Sequence, residues 1–330
     1  MDRSYYSDKY FVRAASILKS DGHDPAVLMQ IFCRTPGVLC GIAESVSLLE
    51  GLVGDLEVAA LADGDAIEAW ETVMTISGSY AKFAYLETLI LGVLARGTRV
   101  ATQTKAIVGA ANGKPVLFFG GRHDHYLTQE ADGFAAIVGG ASGVATDAQG
   151  HRSGQSGVGT VPHSLIAAYR GNTVMASKKF VEHIDTDVPF TALVDFDNDC
   201  VATSLDVARE LGGRLHGVRL DTSGSLVDIS LQGCDEAENG VNPTLVNKVR
   251  QALDEAGFQH VQIVVSGGLT ETKVAMFEAE HAPVDAYGVG SAIVRNSGEF
   301  DFTADIVRVD GEDVSKVGRR HQPNARLRPI

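Results

Sequence analysis

Four cysteines in 330 residues, Cys33, Cys40, Cys200 and Cys234, form no CxxC pair. That excludes the usual zinc-ribbon and redox-motif spacings and leaves reduced, structural thiols as the expectation. Long apolar runs are missing too. No stretch approaches the ~20 consecutive apolar residues of a membrane helix, and the opening MDRSYYSDKYFVRAAS is charged where a signal peptide is apolar. A cytoplasmic protein with no membrane partner is expected. Basic residues are in deficit: 28 Lys and Arg against 42 Asp and Glu leave a net charge of −14. Phosphate-backbone binding needs an excess of cations, so no nucleic-acid partner is expected, and an anionic ligand must be held by local features. Glycine is the residue in excess. Its 36 copies, about 11% against a usual ~7%, sit in short motifs and mark tight loops.

At roughly 150 residues per domain the length suggests two domains, long enough to bury a core without disulfides or structural metal. Residues 1–115 do not repeat βα units. Asp24 followed by Pro25 reads as an N-cap and first helical position, predicting a helix to about Arg34. GIAESVSLLEGL predicts another over 41–52, and SYAKFAYLETLILGVL a third over 79–94. Between them LEVAALADGDAIEAWETVMTISG reads as strand, Asp-Gly turn, strand. From Val116 the pattern changes to short apolar strands, 116–119, 191–194, 216–220, 261–265 and 285–289, with another in 141–175. Helical patterns at 201–212, 243–257 and 271–280 alternate with them. Such alternation implies parallel βαβ units, in a number that fits a barrel better than an open sheet. After Asn296, FTADIVRVDGEDV reads as a hairpin returning to the first domain. The expected architecture is α/β: an incomplete βα barrel over 116–296, with an α+β sandwich domain formed by 1–115 and 297–330.

Functional residues of parallel α/β folds sit at the C-terminal ends of strands. Here five strands run into polar or glycine-rich motifs: GGRHDH from Gly120, DFD from Asp195, DTSG from Asp221, SGG from Ser266, and Gly290-Ser291. SGGLTETK is a Gly-Gly turn entering a helix, and YGVGSAIV supplies amides one strand later, so the pair reads as a phosphate cradle. In RLDTSG, Arg219 and Asp221 are two apart on a strand and share a face. The arginine suits phosphate or carboxylate, and the aspartate suits ribose hydroxyls or hydrated Mg2+; the other reading is a mutual ion pair at the barrel rim. GVGTVPHS lacks the Walker Gly-Lys-Ser/Thr ending and the third glycine of a dinucleotide fingerprint. It presents His163 just before a helix. His123-Asp124-His125 specifies no third ligand, so no metal is assigned there. Lys178-Lys179 and the basic end KVGRRHQPNARLRPI read as solvated surface, with the alternative that the tail packs on the first domain near a neighbouring active site, where its cations would help hold pyrophosphate.

SDKYFVRAASILK, GSYAKFAYLETLILGVL, FFGGRHDHY, GTVPHS, LVDFDND, GVRLDTSG, VVSGGLT and DAYGVGSAIV, in this order, resemble the nicotinate phosphoribosyltransferase family. That family lies within the type II phosphoribosyltransferases, which also include the quinolinate and nicotinamide enzymes. The resemblance covers nearly the whole chain. It implies a homodimer or higher homo-oligomer with shared active sites, in which nicotinate reacts with 5-phosphoribosyl 1-pyrophosphate to give nicotinate mononucleotide and pyrophosphate, with ATP as co-substrate. It further implies that Phe119 stacks on the pyridine ring, Arg122 contacts it, and Tyr10 reaches it from the neighbouring subunit. Asp195, Arg219 and Asp221 would contact ribose and pyrophosphate–Mg2+, the two aspartates holding the ion through water. Ser223, Gly224, Ser266, Gly267, Gly268, Gly288 and Gly290 would bind substrate, the four glycines at the 5-phosphate. His163 matches the histidine that family members phosphorylate. Two departures stand out: His123 occupies the place of a second arginine, and DFDND replaces a DTYD-like string. A TRKTxPG-like segment of the quinolinate enzymes is missing, which argues against a dicarboxylate. Val144-Ala145 stands where the nicotinamide enzymes carry an acidic residue, which favours the acid over the amide. Two other readings use the same phosphate cradle: a βα-barrel isomerase or lyase for a phosphorylated sugar, and a non-catalytic sensor of the mononucleotide.

Overall fold

A computed structural model describes residues 2–52, 54–184, 188–233 and 238–330. The chain divides into two compact units, residues 1–103 with 296–330, and residues 104–295. Among the described cysteines, Cys33, Cys40 and Cys200 are buried. Cys234 lies outside the described residues.

The first unit is built on a six-stranded antiparallel sheet in the order 312–313, 302–309, 26–33, 72–79, 57–60, 328–329. Ala26–Cys33 is therefore a strand and not the expected helix. The Asp24-Pro25 signal is local, whereas AVLMQIFC is apolar almost throughout and is hydrogen-bonded along both edges, to 302–309 and 72–79. Tertiary pairing overrides the cap. The Asp24 carboxylate instead accepts from the Ser79 hydroxyl. Met29, Ile31, Met74 and Ile76 are fully buried against Phe83, Leu86 and Ile90. The 41–52 helix is shorter than expected, Ile42–Leu48. The expected Asp63-Gly64 hairpin opens out: Ala66–Ile67 pairs with Gly37–Val38, and Glu57–Ala60 pairs with Thr72–Ser79. The Asp310-Gly311 hairpin forms as expected between Phe302–Val309 and Glu312–Asp313. The basic end stays largely exposed yet is attached to the first unit. Gln30 donates to the Arg320 carbonyl at 2.9 Å, Thr72 to that of Gln322 at 2.9 Å, and Arg328–Pro329 closes the sheet edge.

A 24-residue helix, Glu87–Ala110, runs through the boundary between the units. Burial raises the Glu87 carboxyl to about 8, helped by the charges of Asp305 and Asp8. The folded chain thus holds a proton that the unfolded chain releases near pH 4.5, and stability falls as pH rises from there to about 8, then levels. Thermal unfolding of Glu87→Gln should show a stabilisation over wild type that grows from pH 5 to 8 and is flat above. A constant difference across that range would contradict it.

The second unit holds six parallel strands in the order 143–144, 116–118, 286–289, 262–265, 217–220, 191–193. Read around a circle this is chain order, and among the described residues pairing is missing between Gly143–Val144 and Thr191–Leu193. That is an incomplete βα barrel. One face of the strands carries the buried Val218, Leu220, Ile263, Val265, Tyr287 and Val289, and the other carries the buried Leu193, Val264 and Ala286, as expected for a parallel sheet covered by helices. Those helices, Cys200–Leu211, Pro243–Glu255 and Glu271–Ala279, bury Val207, Leu211, Val249, Leu253, Val274 and Phe277. Among the described residues, no helix is long and apolar enough to cross a membrane.

Candidate active site

The register places Leu193, Arg219, Val264 and Ala286 side by side across the sheet. Because side chains alternate, Asp195, Asp221, Ser266 and Gly288 continue the same face two residues further, where the strands end. Tyr287, one residue out of phase, points the other way and donates its hydroxyl to Glu278 on the helix Glu271–Ala279 at 2.5 Å. Strand pleat alone therefore collects the polar motifs at one mouth.

Arg219 is the centre of the cluster. Its Nε donates to Ser266 Oγ at 2.8 Å, Nη1 to Thr160 Oγ1 at 2.9 Å, and Nη2 to Asp221 Oδ2 at 3.1 Å. Ser266 Oγ in turn donates to Asp221 Oδ1 at 2.7 Å. The guanidinium carbon lies 5.2 Å from the centroid of the Phe119 ring. A planar group held on three nitrogens and against an aromatic face has little rotamer freedom left to lose, so it is preorganised for an anion.

Phe119 needs the glycine beneath it. A Cβ at Gly288 would come within 2.5 Å of the ring, and one at Gly290 within 2.4 Å of the His123 ring and 2.9 Å of the Phe119 carbonyl. Gly267 and Gly268 have φ of +91° and +63°, a backbone reserved largely for glycine, and they turn the strand end away beside Asp221. Thr270 caps the following helix by accepting from Lys273 N at 3.3 Å.

His163 opens the helix His163–Ala168, and its Nε2 lies 3.0 and 3.1 Å from the two oxygens of Asp195. Burial raises the Asp195 carboxyl and the nearby Asp221 charge adds to that, while His163 pulls it back. One ligand atom each from His163, Asp195 and Asp221 lie within 4.8 Å of one another. Two carboxylates converging with a partly buried charge are a donor set for a hard cation such as Mg2+.

Among the remaining candidates, Arg122 is exposed on the loop after Phe119. The His123 imidazole is lowered by burial and by the Arg122 charge. Ser223 and Gly224 lie on an exposed loop, where Ser223 bonds Ser225 at 2.9 Å rather than joining the Arg219 cluster. Tyr10 belongs to the first unit, 62% exposed on the first turn of the helix Lys9–Asp21. The structure thus gathers Phe119, His163, Asp195, Arg219, Asp221, Ser266 and the four glycines in one unit.

Thr160 is the residue that sequence reasoning missed. It lies inside GVGTVPHS, where the histidine drew attention, and only the folded loop brings its hydroxyl to Arg219. Gln129 and Gln149 were missed as well. Gln129 Nε2 donates to the Gly121 carbonyl at 2.8 Å and its Oε1 accepts from Thr146 Oγ1 at 2.8 Å, while Gln149 Oε1 accepts from Ala145 N at 3.0 Å. These bonds brace the Phe119 loop against the end of the Gly143–Val144 strand, and no sequence motif announces them.

Comparison with known proteins places the fold in a family. The family model described as "Quinolinate phosphoribosyl transferase, N-terminal domain" matches residues 8–98, and its C-terminal counterpart matches residues 100–305. A nicotinate phosphoribosyltransferase of Mycobacterium tuberculosis is 30% identical over 269 residues, 80% of this chain and 55% of the relative. The Bacillus subtilis nicotinate phosphoribosyltransferase is 28% identical over 238 residues, 71% of this chain and 45% of the relative. The chain therefore spans about half the length of the curated relatives it matches. A crystal structure of nicotinate-nucleotide pyrophosphorylase from Pyrococcus furiosus superimposes with a TM-score of 0.85 at 34% identity, covering 99% of this chain and 82% of that one. Human nicotinic acid phosphoribosyltransferase shares the fold, with a TM-score of 0.71 at 17% identity over 96% of this chain and 77% of that one. Matched along both of its parts, this chain belongs to the quinolinate phosphoribosyl transferase family, the type II phosphoribosyltransferases.

Proposed function

We propose that this chain is a nicotinate phosphoribosyltransferase acting in NAD biosynthesis. The pyridine nitrogen of nicotinate uses its lone pair to bond ribose C1 of 5-phosphoribosyl 1-pyrophosphate. The C1–O bond breaks, and pyrophosphate leaves with that electron pair. The observation that carries this reading is the preorganised Arg219, bonded to Asp221, Ser266 and Thr160 and stacked on Phe119. No protein nucleophile is required at C1. What the reaction needs is two substrates held in line, a cation for the leaving group and carboxylates for the positive charge that develops on the sugar. Arg219 supplies the first of these charges, and Asp195 and Asp221 the second. Gly267, Gly268, Gly288 and Gly290 leave backbone open to the 5-phosphate, with Ser266, Ser223 and Gly224 at the ribose phosphate. Phe119 offers a face to the pyridine ring, and Tyr10 covers it from the other subunit of a homodimer. Asp195 and Asp221 would hold Mg2+ through water, and the ion would neutralise pyrophosphate.

Substrate choice rests on the ring loop. The name of the matching family favours a second reading, quinolinate as substrate. Against it, the ring loop presents Arg122 followed by His123, whose imidazole is driven toward its neutral form by burial and by Arg122. One cation beside the ring suits one carboxylate. Calorimetric titration with nicotinate mononucleotide and with 5-phosphoribosyl 1-pyrophosphate tests the reading: both should bind in the presence of Mg2+, and failure of both would reject it.

ATP is the proposed co-substrate, acting through His163. Nε2 faces Asp195, so Nδ1 carries the lone pair that would attack the γ-phosphorus. ADP leaves with the electrons of the broken P–O bond, and Asp195, already raised by burial, takes up the Nε2 proton. Hydrolysis of the P–N bond returns phosphate and restores the pair. His163→Asn should retain slow transfer and lose its stimulation by ATP. Acid-labile label from γ-labelled ATP should appear on wild type and not on the variant; an unchanged ATP response in His163→Asn would remove the assignment.

A further inference from the structure

The segment carrying His163 ties together the two edge strands of the open barrel. At one end Gly157 N donates to Asp147 Oδ1 at 2.9 Å and Val158 N to the Val144 carbonyl at 2.7 Å, both at the C-terminal end of Gly143–Val144. At the other end His163 pairs with Asp195 beyond Thr191–Leu193. Between these anchors Thr160 bonds Arg219 at 2.9 Å.

Residues 160–163 form a stiff piece. Val161 is 1% exposed, and Pro162 has its ring-limited φ at −83°. A Cβ at Gly157 would meet the Thr146 backbone at 2.8 Å, so the loop is packed closely there, whereas one at Gly159, just before the piece, would meet nothing within 4 Å. Phosphorylation at Nδ1 with transfer of the Nε2 proton to Asp195 reverses the His163–Asp195 hydrogen bond, the carboxyl now donating to a bare Nε2, and adds a bulky anion at this end of the loop. Because residues 160–163 are stiff, a change of contact at 163 is felt at 160.

We propose that Thr160 is a positioning residue that transmits the state of His163 to Arg219 through its hydroxyl. This inference rests on the reading of His163 as the phosphoryl acceptor. In that coupling the arginine is aimed by one loop geometry when His163 is bare and by another when it is phosphorylated, so ATP changes how 5-phosphoribosyl 1-pyrophosphate is held.

The test compares Thr160→Val, which keeps shape and loses the hydroxyl, with Thr160→Ser, which keeps the hydroxyl. The quantities measured are labelling of His163 by γ-labelled ATP, and KM for 5-phosphoribosyl 1-pyrophosphate with and without ATP. Allosteric couplings commonly span about 5- to 150-fold. Thr160→Val should label like wild type while the ATP-dependent change in KM falls below about twofold, and Thr160→Ser should keep most of the wild-type change. A labelled Thr160→Val that retains the full ATP effect overturns the proposal. Loss of the effect in both variants also overturns it, because the methyl packing and not the hydroxyl would then carry the coupling. Absence of label on wild type removes the His163 reading itself, and the coupling with it, an outcome told apart from the others by wild type alone. Should Thr160→Val unfold, Thr160→Ala is measured in its place against the same criteria.

Discussion

Replacing Arg219 with alanine is expected to lower kcat/KM by about 10²-fold or more, in line with removal of a preorganised charge contact from an active site. Arg219 and Asp221 are each 17% exposed in their side chains, so the pair is largely withdrawn from water. Truncation would leave Asp221 without its cation and Ser266 and Thr160 without their shared partner. Two effects then combine: the positive charge facing the leaving group disappears, and the face that holds Asp221 loosens. Arg219→Lys separates them. Lysine restores charge but offers a point donor in place of the planar fork that reaches Ser266, Thr160 and Asp221 together. It should recover thermal stability more than turnover. If folded Arg219→Ala turned over at near wild-type rates, Arg219 would not be the phosphate-facing residue.

Mixing two inactive variants should restore activity. Tyr10→Ala removes the exposed tyrosine of the first unit, and Asp221→Ala disables the barrel mouth. If Tyr10 serves the site of the other subunit, a mixed dimer has one site lacking both groups and one site with both intact. Random exchange makes half of a symmetric dimer population mixed, and half of the sites in those dimers intact, so recovery should approach about a quarter of wild-type activity. A tyrosine serving its own subunit gives no intact site in any dimer. Subunit exchange verified by mass, with activity still absent, would rule out the shared arrangement.

Much of the barrel was legible in the sequence because its signals are local and repeated. Short apolar strands end in Asp, Ser or Gly, and the period-two pleat turns Arg219 and Asp221 to one face without any knowledge of the fold. The glycines at 267 and 268 announced their turn for the same reason. The Ala26–Cys33 strand was not legible, since Asp24-Pro25 is a genuine helix-start signal that loses to pairing with segments some fifty and more than 270 residues away. Distance in sequence also left the basic end open between solvated surface and packing on the first domain, since its attachment depends on buried Gln30 and Thr72. Thr160 was hidden differently: a threonine in a glycine loop carries no mark of its partner, and the bond to Arg219 exists only once the loop has linked the two open edges of the barrel.

The most direct test of the account is a turnover assay with 5-phosphoribosyl 1-pyrophosphate and Mg2+, with and without ATP, supplying nicotinate, nicotinamide or quinolinate in separate reactions and measuring mononucleotide and pyrophosphate. The account predicts both products in equal amounts from nicotinate, stimulation by ATP, and little from the amide or the dicarboxylate. Mononucleotide formed from quinolinate with release of carbon dioxide, or tight binding of nicotinate mononucleotide with no turnover of any of the three, would contradict it.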